Sequence, residues 1–423
     1  FTRHGYSVPF RKTVCTLRLA RWLMKGETRD LRLETLAGTI GTAARPCHRA
    51  FPDAQATLEL FHRLLELAGP VGVLTFEDLI SFTRVGRKPD IGKASLAAKV
   101  PRVPGVYRFL DIRGRVLYVG KAKNLRSRVR SYFYGDERPR LGTLVREIAK
   151  VEFERTNSEL AAEVRELELI RQHQPRYNRR NRRTGRSPVW IRIADGKIPR
   201  LVVTRKASDQ APPLLGPFTS QKQAKEVLEA LRDAYPMPRC TDPRKHPDGC
   251  AFGQMGRCIA PCLPGRQDPY QDLFDQMIDC INSDPHSILE RLNLRMSALA
   301  EDMRYEEAAD LRDRIELLAR TFDRQQIVQS LMLSGDVLLD FSEEQSPVCV
   351  AIRQGRLVAV HPAPDGSGYD IAGIFAFAPP PRTRQWVTYE EWEEMQIIWR
   401  HLGKHAKQGA RVLWCSGLLF LPS

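Results

Sequence analysis

Two tyrosines and the cations that follow them form the part of the sequence best suited to chemistry. Tyr107 and Tyr118 lie in two short apolar stretches, and Lys121 follows three residues after the second tyrosine. Arg128 lies one to two helical turns into the basic stretch that comes next, and Glu166 lies further along the chain. Phosphodiester hydrolysis needs an activated nucleophile, a cation for the charge on phosphorus and a positioned metal ion. A phenol whose pKa is lowered by neighbouring cations, with a carboxylate for one divalent ion, would suffice for a one-metal nuclease.

The pattern around these residues predicts a small mixed α/β unit. Two strands, "VYRFL" and "RVLYVG", are joined by a tight turn at 112–114, and the helix-like stretch "NLRSRVRSYF" follows. A second helix, a short strand and a longer helix complete the unit. Asn157 or Ser158 can cap the longer helix, and Pro175 ends it. The strands would then carry both tyrosines, and the helices would carry the arginine and the glutamate.

Each of these residues has a simpler interpretation when it is taken alone. Tyrosines in strands are usually packing residues, and a basic helix is usually a solvated face. The ordered combination of Tyr, Tyr-x-Gly-Lys, Arg, Glu and Pro-x-Tyr-Asn favours a nuclease site over those interpretations.

The same stretch resembles a known nuclease family. "GVY" at 105–107, "YVG" at 118–120 and "KAKNLRSRVRSYF" at 121–133 are similar to the GIY-YIG nuclease domain. More narrowly, they resemble the UvrC subunit of the bacterial excision-repair nuclease and its shorter relative Cho. The resemblance continues through "TNSELAAEVRELELIRQHQPRYN" at 156–178.

This resemblance implies a role for each residue of the motif. The implied catalytic residues are Tyr107, Tyr118, Lys121, Arg128, Tyr132 and Asn178. Tyr118 would take part in activating the water, and Lys121 and Arg128 would face the phosphate. Glu166 would bind one Mg²⁺ or Mn²⁺, and Asn178 would close the site.

Two residues depart from the family pattern. Glu163 and Arg165 stand where the family carries leucines. They put polar groups on a helix face that we expect to be apolar.

Four of the nine cysteines lie within 240–262, namely Cys240, Cys250, Cys258 and Cys262. Nine cysteines in 423 residues do not make a disulfide scaffold, and thiols grouped in this way suggest ligation of a soft metal. Zinc ribbons prefer two C-x2-C pairs, which this segment lacks. The segment also resembles UvrC, which implies a [4Fe-4S] cluster. Zinc, with His246 as a spare ligand, and a metal-free loop are the alternatives.

The net charge of +16 favours a polyanionic partner. The clustered cations fit phosphate contacts, and the predicted DNA-binding residues are Lys123, Arg126, Arg130, Arg176, Arg179 and Arg180. No run approaches the roughly 18 apolar residues of a membrane helix. The charge therefore favours a nucleic acid, although charge alone does not distinguish DNA from RNA, and the cysteine usage indicates a cytoplasmic protein. The resemblance to UvrC implies that the nucleic acid is damaged double-stranded DNA.

Residues 295–320 read as parts of two helices with a break near Arg304. They resemble the UVR motif, the hairpin by which UvrC docks to UvrB, which acts downstream of UvrA. The predicted UvrB-binding residues are Met296, Tyr305, Ala308, Ala309, Leu311, Arg312 and Ile315. The alternative is a surface hairpin that packs on its own core.

The two ends of the chain carry weaker signals. His48 and Asp53 form H-x4-D, which resembles the last motif of DnaQ-type 3′–5′ exonucleases, yet no D-x-E precedes it. We therefore expect an incomplete exonuclease domain, without exonuclease activity in this chain. The strands predicted after 323 do not complete an RNase H-like domain or a helix-hairpin-helix, so we expect a single cut on the 3′ side of damage, as Cho makes.

The predicted fold is a multidomain α/β chain with a small mixed α/β nuclease domain, a cysteine-rich metal-binding region and a helical hairpin. The predicted domains are the back part of an exonuclease domain (RNase H-like α/β) at 1–83, a basic linker at 84–100, the GIY-YIG domain at 101–183, the four-cysteine region at 184–265, the UVR hairpin at 286–321 and an α/β tail at 322–423. The predicted function is incision of damaged DNA with UvrB in nucleotide excision repair. The alternatives are a non-catalytic UvrB- and DNA-binding accessory protein, an RNA-directed nuclease, and a nuclease whose full-length form also has 3′–5′ exonuclease activity.

Overall fold

The structure is a computed structural model. The chain forms two compact units, Phe1–Arg182 and Arg183–Ser423. It describes residues 13–24, 26–70, 73, 76–83, 93, 95–133, 141–178, 188–194, 196–240, 248–343, 346–362, 369–376, 378–384 and 386–419. Most of the predicted basic linker at 84–100 lies outside these residues.

The described part of the first unit starts with four helices, so the α/β character predicted for 1–83 is not seen there, and it continues into the mixed α/β segment that the sequence predicts. Its elements are α1 (Thr16–Leu23), α2 (Leu33–Ile40), α3 (Ala50–Ala68), α4 (Phe76–Thr83), β1 (Gly105–Leu110), β2 (Val116–Ala122), α5 (Leu125–Phe133), α6 (Leu141–Glu147), β3 (Lys150–Arg155) and α7 (Glu159–His173). A 3₁₀ turn at Ser95–Ala97 precedes β1.

The three strands form an antiparallel sheet in the order β2-β1-β3, so β2 is an edge strand. On the face that packs against α7, Val106 and Val119 form one buried cluster with Ala162, Leu169 and Ile170. The opposite face carries Tyr107 and Phe109, which join a core shared with α5 and the N-terminal helices. Because strand side chains alternate between faces, each strand supports both layers of this sandwich.

Short-range signals determine where the long helix of this unit begins and ends. The hydroxyl of Ser158 accepts a hydrogen bond from the Ala161 amide at 3.0 Å, which caps the start of α7. Gln174 adopts a left-handed conformation with φ of 46°, and Pro175 follows it. Both predicted helix boundaries are confirmed, and they fix which residues of α7 face the sheet.

The second unit contains two further antiparallel sheets and a helical layer. Its elements are β4 (Val189–Ala194), β5 (Arg200–Thr204), β6 (Leu215–Phe218), α8 (Gln221–Ala234), α9 (Ala251–Gln254), α10 (Gln267–Ser283), α11 (Pro285–Glu301), α12 (Tyr305–Leu333), β7 (Asp336–Glu343), β8 (Ser346–Arg353), β9 (Arg356–Pro362), α13 (Ile371–Phe375), α14 (Tyr389–Ala406) and β10 (Arg411–Cys415). The strand orders are β5-β4-β6 and β10-β7-β8-β9.

The sequence predicts most of these elements but leaves six unassigned. The stretches "PVWIRI", "RLVVTR", "DVLLDF", "VCVAI" and "RLVAVHP" predict β4, β5, β7, β8 and β9, and "SQKQAKEVLEALRDAY" predicts α8. The hairpin α11–α12 also forms where it is predicted, although α12 continues to Leu333. Strand β6 is missed because it has four residues and contains Pro217, which strands disfavour. Helices α9, α10, α13 and α14 and strand β10 carry no motif that predicts them. Within the described residues, no helix combines the length and the apolar character that a bilayer crossing requires.

Candidate active site

Three phenols from three elements meet beside the edge strand. The hydroxyl oxygens of Tyr107 in β1 and Tyr132 in α5 lie 2.8 Å apart. The ring of Tyr118 in β2 has its centroid 6.0 Å from that of Tyr132. Arg128 donates from Nη2 to the Tyr132 hydroxyl at 3.2 Å, and its guanidinium lies over that ring, 4.9 Å from the centroid. The structure thus brings together the tyrosines and the arginine that the motif singles out.

A glycine allows these rings to approach the edge strand. Gly120 is the register partner of Tyr107 in the antiparallel pair. A Cβ at this position would overlap the Tyr107 hydroxyl and lie 2.9 Å from a carbon of the Tyr118 ring. The close approach therefore requires a residue without a side chain. Gly120 is the last residue of the "YVG" motif, and the motif alone does not predict this close approach.

The phenols are harder to ionise than the sequence suggests. Burial raises the pKa of Tyr118 above its usual value, and the neighbouring Tyr132 acts in the same direction. The same two causes raise the pKa of Tyr107. Arg128 lowers both pKa values, but its effect is smaller than that of burial. The expectation that nearby cations lower the phenol pKa is therefore wrong for this structure, since burial outweighs them.

Glu166 presents a half-buried carboxylate from α7. Burial raises its pKa to about 7, and the charge of Glu163 acts in the same direction. The opposing influences are the charge and the backbone of Lys121 and the charge of Arg128. Carboxylate oxygen is the ligand that Mg²⁺ and Mn²⁺ prefer, and a divalent cation would stabilise the ionised form. The carboxyl group therefore suits a single divalent ion.

The two residues that depart from the family pattern both have partners. Lys121 Nζ lies 2.6 Å from Glu163 Oε2. Arg165 Nε lies 2.7 Å from Glu154 Oε2 in β3, and its Nη1 lies 2.8 Å from Glu168 Oε2. Both side chains are half-buried, while the apolar residues of α7 fill the core between helix and sheet. The helix thus packs as an apolar element with a charged rim.

Asn178 pairs with the edge strand as another strand would. Its Oδ1 accepts from the Val119 amide at 2.9 Å, and its Nδ2 donates to the Val119 carbonyl at 2.8 Å. The neighbouring Tyr177 amide donates to the Leu117 carbonyl at 3.1 Å. Because Asn178 is buried, these bonds satisfy backbone groups that water does not reach.

The predicted DNA-binding cations differ in exposure. Lys123 is exposed, 3.2 Å from Glu159, and Arg176 is exposed, 2.7 Å from Glu147. Arg126 donates to the carbonyls of Val100 and Ala98, before β1. These contacts tie α5 to the segment that leads into the sheet.

Arg130 is only 7% exposed, and it lies in α5 among the buried side chains of that helix. In this structure it does not face solvent as the sequence predicts, because the alternating arginines of α5 point to different sides of the helix. Arg179 and Arg180 lie outside the described residues.

The four clustered cysteines lie after α8, before α9 and before α10. Cys258 is buried, and Cys240, Cys250 and Cys262 are half-buried. Burial raises the pKa of Cys240 and Cys258, and the other thiols of the group act in the same direction. Across the described residues, no three His, Cys, Asp or Glu side chains are arranged to hold a metal ion. His246 lies outside the described residues.

The helical hairpin turns at Met303, whose φ is 59°, next to the predicted break. Three of the predicted UvrB-binding residues belong to the core of the second unit or pack against it, namely Met296, Leu311 and Ile315, and Ala308 is buried. Ala309 is half-buried, Tyr305 is 66% exposed, and Arg312 is exposed beside Asp313.

Of the two residues of the predicted exonuclease motif, His48 precedes α3 and Asp53 lies within it. Asp53 is in the first helical turn, where its Oδ1 accepts from the Cys47 amide at 2.9 Å. His48 is exposed and has a φ of 61°.

Three segments of the chain match known protein families. Residues 103–179 match the UvrC-like GIY-YIG domain. Residues 188–279 match the middle domain of UvrC/Cho excinucleases, and residues 287–320 match the UvrB/uvrC motif.

Curated relatives extend these matches. UvrABC system protein C of Symbiobacterium thermophilum is 34% identical over 265 residues, which are 61% of this chain and 42% of that protein. A putative bifunctional exonuclease/endonuclease protein of Mycobacterium tuberculosis is 32% identical over 371 residues, 85% of this chain and 56% of that protein. The chain spans about half the length of the curated relatives it matches.

A solved structure is also similar. The GIY-YIG N-terminal endonuclease domain of UvrC from Thermotoga maritima, bound to magnesium as its catalytic divalent cation, is 32% identical. The match covers 20% of this chain and 92% of that one, with a TM-score of 0.19. On the three family matches, the chain contains a UvrC-like GIY-YIG domain, a UvrC/Cho middle domain and a UvrB/uvrC motif, in that order.

Proposed function

We propose that the chain is a DNA-repair endonuclease that hydrolyses one phosphodiester bond on the 3′ side of a lesion, in complex with UvrB. The observation that carries the proposal is the convergence of three phenols and Arg128 beside the edge strand, with the Glu166 carboxylate close enough to affect Tyr118 electrostatically. The order of the three matched domains supports it, because a nuclease domain precedes a partner-binding motif.

The proposed roles follow from where charge develops. A divalent ion at Glu166 would supply a Lewis acid for a phosphoryl oxygen. Tyr118 would orient the attacking water through its hydroxyl, which the raised pKa keeps protonated until a cation or the substrate alters its surroundings. Arg128, aligned by Tyr132, would neutralise charge on the phosphate. Asn178 would hold the edge strand that carries Tyr118.

Lys121 would also face the phosphate, either after its ion pair with Glu163 breaks or while that pair persists. For the DNA backbone we propose contacts from the exposed side chains of Lys123 and Arg176, joined by Arg179 and Arg180. Arg126 and Arg130 would instead support α5. Affinity for DNA should fall as salt rises, since phosphate contacts release counterions. Charge reversal at Lys123 should flatten that dependence, whereas conversion of Arg130 to lysine should leave it unchanged.

We propose that UvrB binds the exposed side of the hairpin. Tyr305 and Arg312 offer the accessible side chains there, while the buried part of the motif keeps the hairpin folded. Tyr305→Ala should weaken binding to purified UvrB in a titration, because an exposed aromatic residue commonly anchors an interface. Unchanged affinity would argue for a hairpin that serves only its own core.

For the cysteine segment we propose a [4Fe-4S] cluster, with zinc as the alternative. The support is the number and spacing of the four thiols and their mutual electrostatic influence. The described positions do not form a complete ligand set, so no catalytic step is assigned to this group. Iron, sulfide and zinc analysis of anaerobically purified protein tests it. Zinc without sulfide would exclude the cluster, and the absence of all three would leave a metal-free loop.

We propose that the N-terminal helices derive from an exonuclease domain. The support is the H-x4-D pair at His48 and Asp53, together with the relative named as a bifunctional exonuclease/endonuclease. In this chain Asp53 bonds to the backbone and no D-x-E precedes it, so we expect no exonuclease activity. Magnesium-dependent trimming of 3′ ends by the purified chain would contradict this.

The decisive experiment is incision of an end-labelled duplex with one lesion, in the presence of UvrA, UvrB, ATP and Mg²⁺. One UvrB-dependent cut on the 3′ side is the expected result. Glu166→Gln should abolish the cut while binding of DNA and UvrB persists. If the unmutated chain binds both and never cuts, the accessory-protein alternative is correct. Competition with duplex RNA tests the RNA alternative in the same assay.

A further inference from the structure

A short ion pair lies next to the proposed metal ligand. Glu163 precedes Glu166 by one helical turn on α7, and its Oε2 lies 2.6 Å from Nζ of Lys121 at the end of β2. The side chain of Glu163 is 15% exposed and that of Lys121 is 31% exposed. Since both groups are largely shielded from water, their charges act on their surroundings more strongly than those of a surface pair.

The arrangement decides the net charge around Glu166. Lys121 lies close enough to Glu166 for its charge and its backbone to influence that carboxyl group. An unpaired ammonium group at this position would repel a divalent cation, and it would also compete with the cation for the Glu166 carboxylate. Glu163 cancels that charge and holds the ammonium group by a direct contact.

We infer that Glu163 is a positioning residue that sets the affinity of the Glu166 site for a divalent cation, by holding and neutralising Lys121. The inference rests on the proposed metal-binding role of Glu166. It concerns a residue at which this chain departs from the leucine expected in the family pattern. The chain thereby carries a charged pair beside its proposed metal site.

The test measures Mn²⁺ binding to the purified full chain at about pH 8 and moderate salt. The electron paramagnetic resonance signal of free Mn²⁺ is the readout. Glu163→Gln should weaken binding on the order of tenfold, because the Lys121 charge is then uncompensated. Lys121→Met should tighten it or leave it unchanged. The double variant should bind close to the unmutated chain, since neither charge remains. Incision is not needed for this readout.

The double variant separates the inference from direct ligation. If Glu163 itself bound the ion, Glu163→Gln would weaken Mn²⁺ binding by the same factor with or without Lys121→Met. That result would overturn the inference. Equal affinity of Glu163→Gln and the unmutated chain would also overturn it. Glu168→Gln is the matched control, because it removes another carboxylate from α7. The partner of that carboxylate is Arg165. It should change the affinity by less than about twofold.

Two further measurements keep the outcomes distinct. Urea unfolding without metal identifies any variant that fails to fold. If Glu163→Gln does not fold, the Mn²⁺ affinity of the double variant is compared with that of Lys121→Met. Glu166→Gln should abolish the Mn²⁺ binding seen in the unmutated chain. If it does not, the proposed metal role of Glu166 fails. If it does while Glu163→Gln has no effect, only the inference about Glu163 fails.

Discussion

The hydroxyl oxygens of Tyr107 and Tyr132 lie 2.8 Å apart and join the central strand of the nuclease domain to helix α5. Arg128 donates to the same Tyr132 hydroxyl, so that this hydroxyl links a buried phenol to a guanidinium group. Charge-assisted bonds of this kind are stronger than neutral ones. The strand–helix contact therefore fixes the direction of a cation that we propose to meet the phosphate.

The Tyr118 hydroxyl should be needed for incision but not for folding. Tyr118→Phe keeps the ring contacts with Tyr107 and Tyr132, and it removes the group that we propose to orient water. We expect incision to fall by at least about a hundredfold, the lower end of what a positioned general acid–base group contributes. Single-turnover incision of a lesion-bearing duplex measures this.

Tyr177→Phe is the matched control for that variant. It removes a hydroxyl of the same domain that donates to Glu147 at 3.0 Å, outside the group of three phenols. Its incision rate should stay within about threefold of the unmutated chain. Equal losses in the two variants would mean that the Tyr118 hydroxyl contributes only stability.

Gly120 should not tolerate even a methyl group. Gly120→Ala places a Cβ against the phenols of Tyr107 and Tyr118, so that one ring has to move. Overpacking of this kind costs about 1–3 kcal/mol, and incision should fall together with the free energy of unfolding. Urea unfolding and incision of the same preparation measure both effects.

Gly38→Ala provides the comparison for a glycine without such contacts. Gly38 lies in α2, and a Cβ there meets no atom within 4 Å. This substitution should be neutral or stabilise by up to about 1 kcal/mol, because alanine favours the helix. Destabilisation by Gly38→Ala as large as that by Gly120→Ala would remove the argument for close approach.

Asn178 should act through both of its hydrogen bonds to Val119. Asn178→Ala leaves the Val119 amide and carbonyl unpaired on a buried edge, which costs about 1–3 kcal/mol for each group. Asn178→Asp retains an acceptor for the amide and loses the donor to the carbonyl.

We expect Asn178→Asp and Asn178→Ala each to lower the free energy of unfolding relative to the unmutated chain. Each variant should also incise more slowly. Chemical denaturation with a DNA-binding assay distinguishes lost stability from a lost contact. A stable Asn178→Ala protein with no incision would instead point to a direct role for the amide in the reaction.

Glu391 should make the second unit sensitive to acid. Burial acts to raise its pKa, but the Thr388 amide and the guanidinium groups of Arg382, Arg356 and Arg384 outweigh it and hold the pKa at about 2. Because this lies below the value of 4.5 for an unperturbed glutamate, the ionised form stabilises the fold. The contribution is about 3 kcal/mol, present in full above pH 4.5 and lost as the pH falls through about 2.

Glu391→Gln reveals that contribution by difference. The unmutated chain should be more stable than the variant at neutral pH, and the gap should narrow as the pH falls from about 5 toward 2. Glu306→Gln, which removes an exposed carboxylate in the first turn of α12, should give a small and constant difference. A gap for Glu391→Gln that does not change with pH would contradict the assigned pKa. Urea unfolding at a series of pH values measures all three proteins.

The sequence by itself determines the local elements and the residue types of the candidate site. Apolar alternation specifies β1 and β2, Ser158 and Pro175 bound the helix that carries Glu166, and the hairpin breaks beside Arg304. These are short-range effects of side-chain spacing and backbone capping, which act within a few residues of one another.

Only the tertiary structure decides how those residues behave. Burial makes Tyr118 harder to ionise in spite of Arg128, and it turns Arg130 inward although its neighbours in sequence suggest a basic face. The partner of Glu163 is Lys121, 42 residues away along the chain and 2.6 Å away in space. A pKa and a charge pairing depend on which distant groups surround a side chain, and sequence spacing carries no measure of that distance.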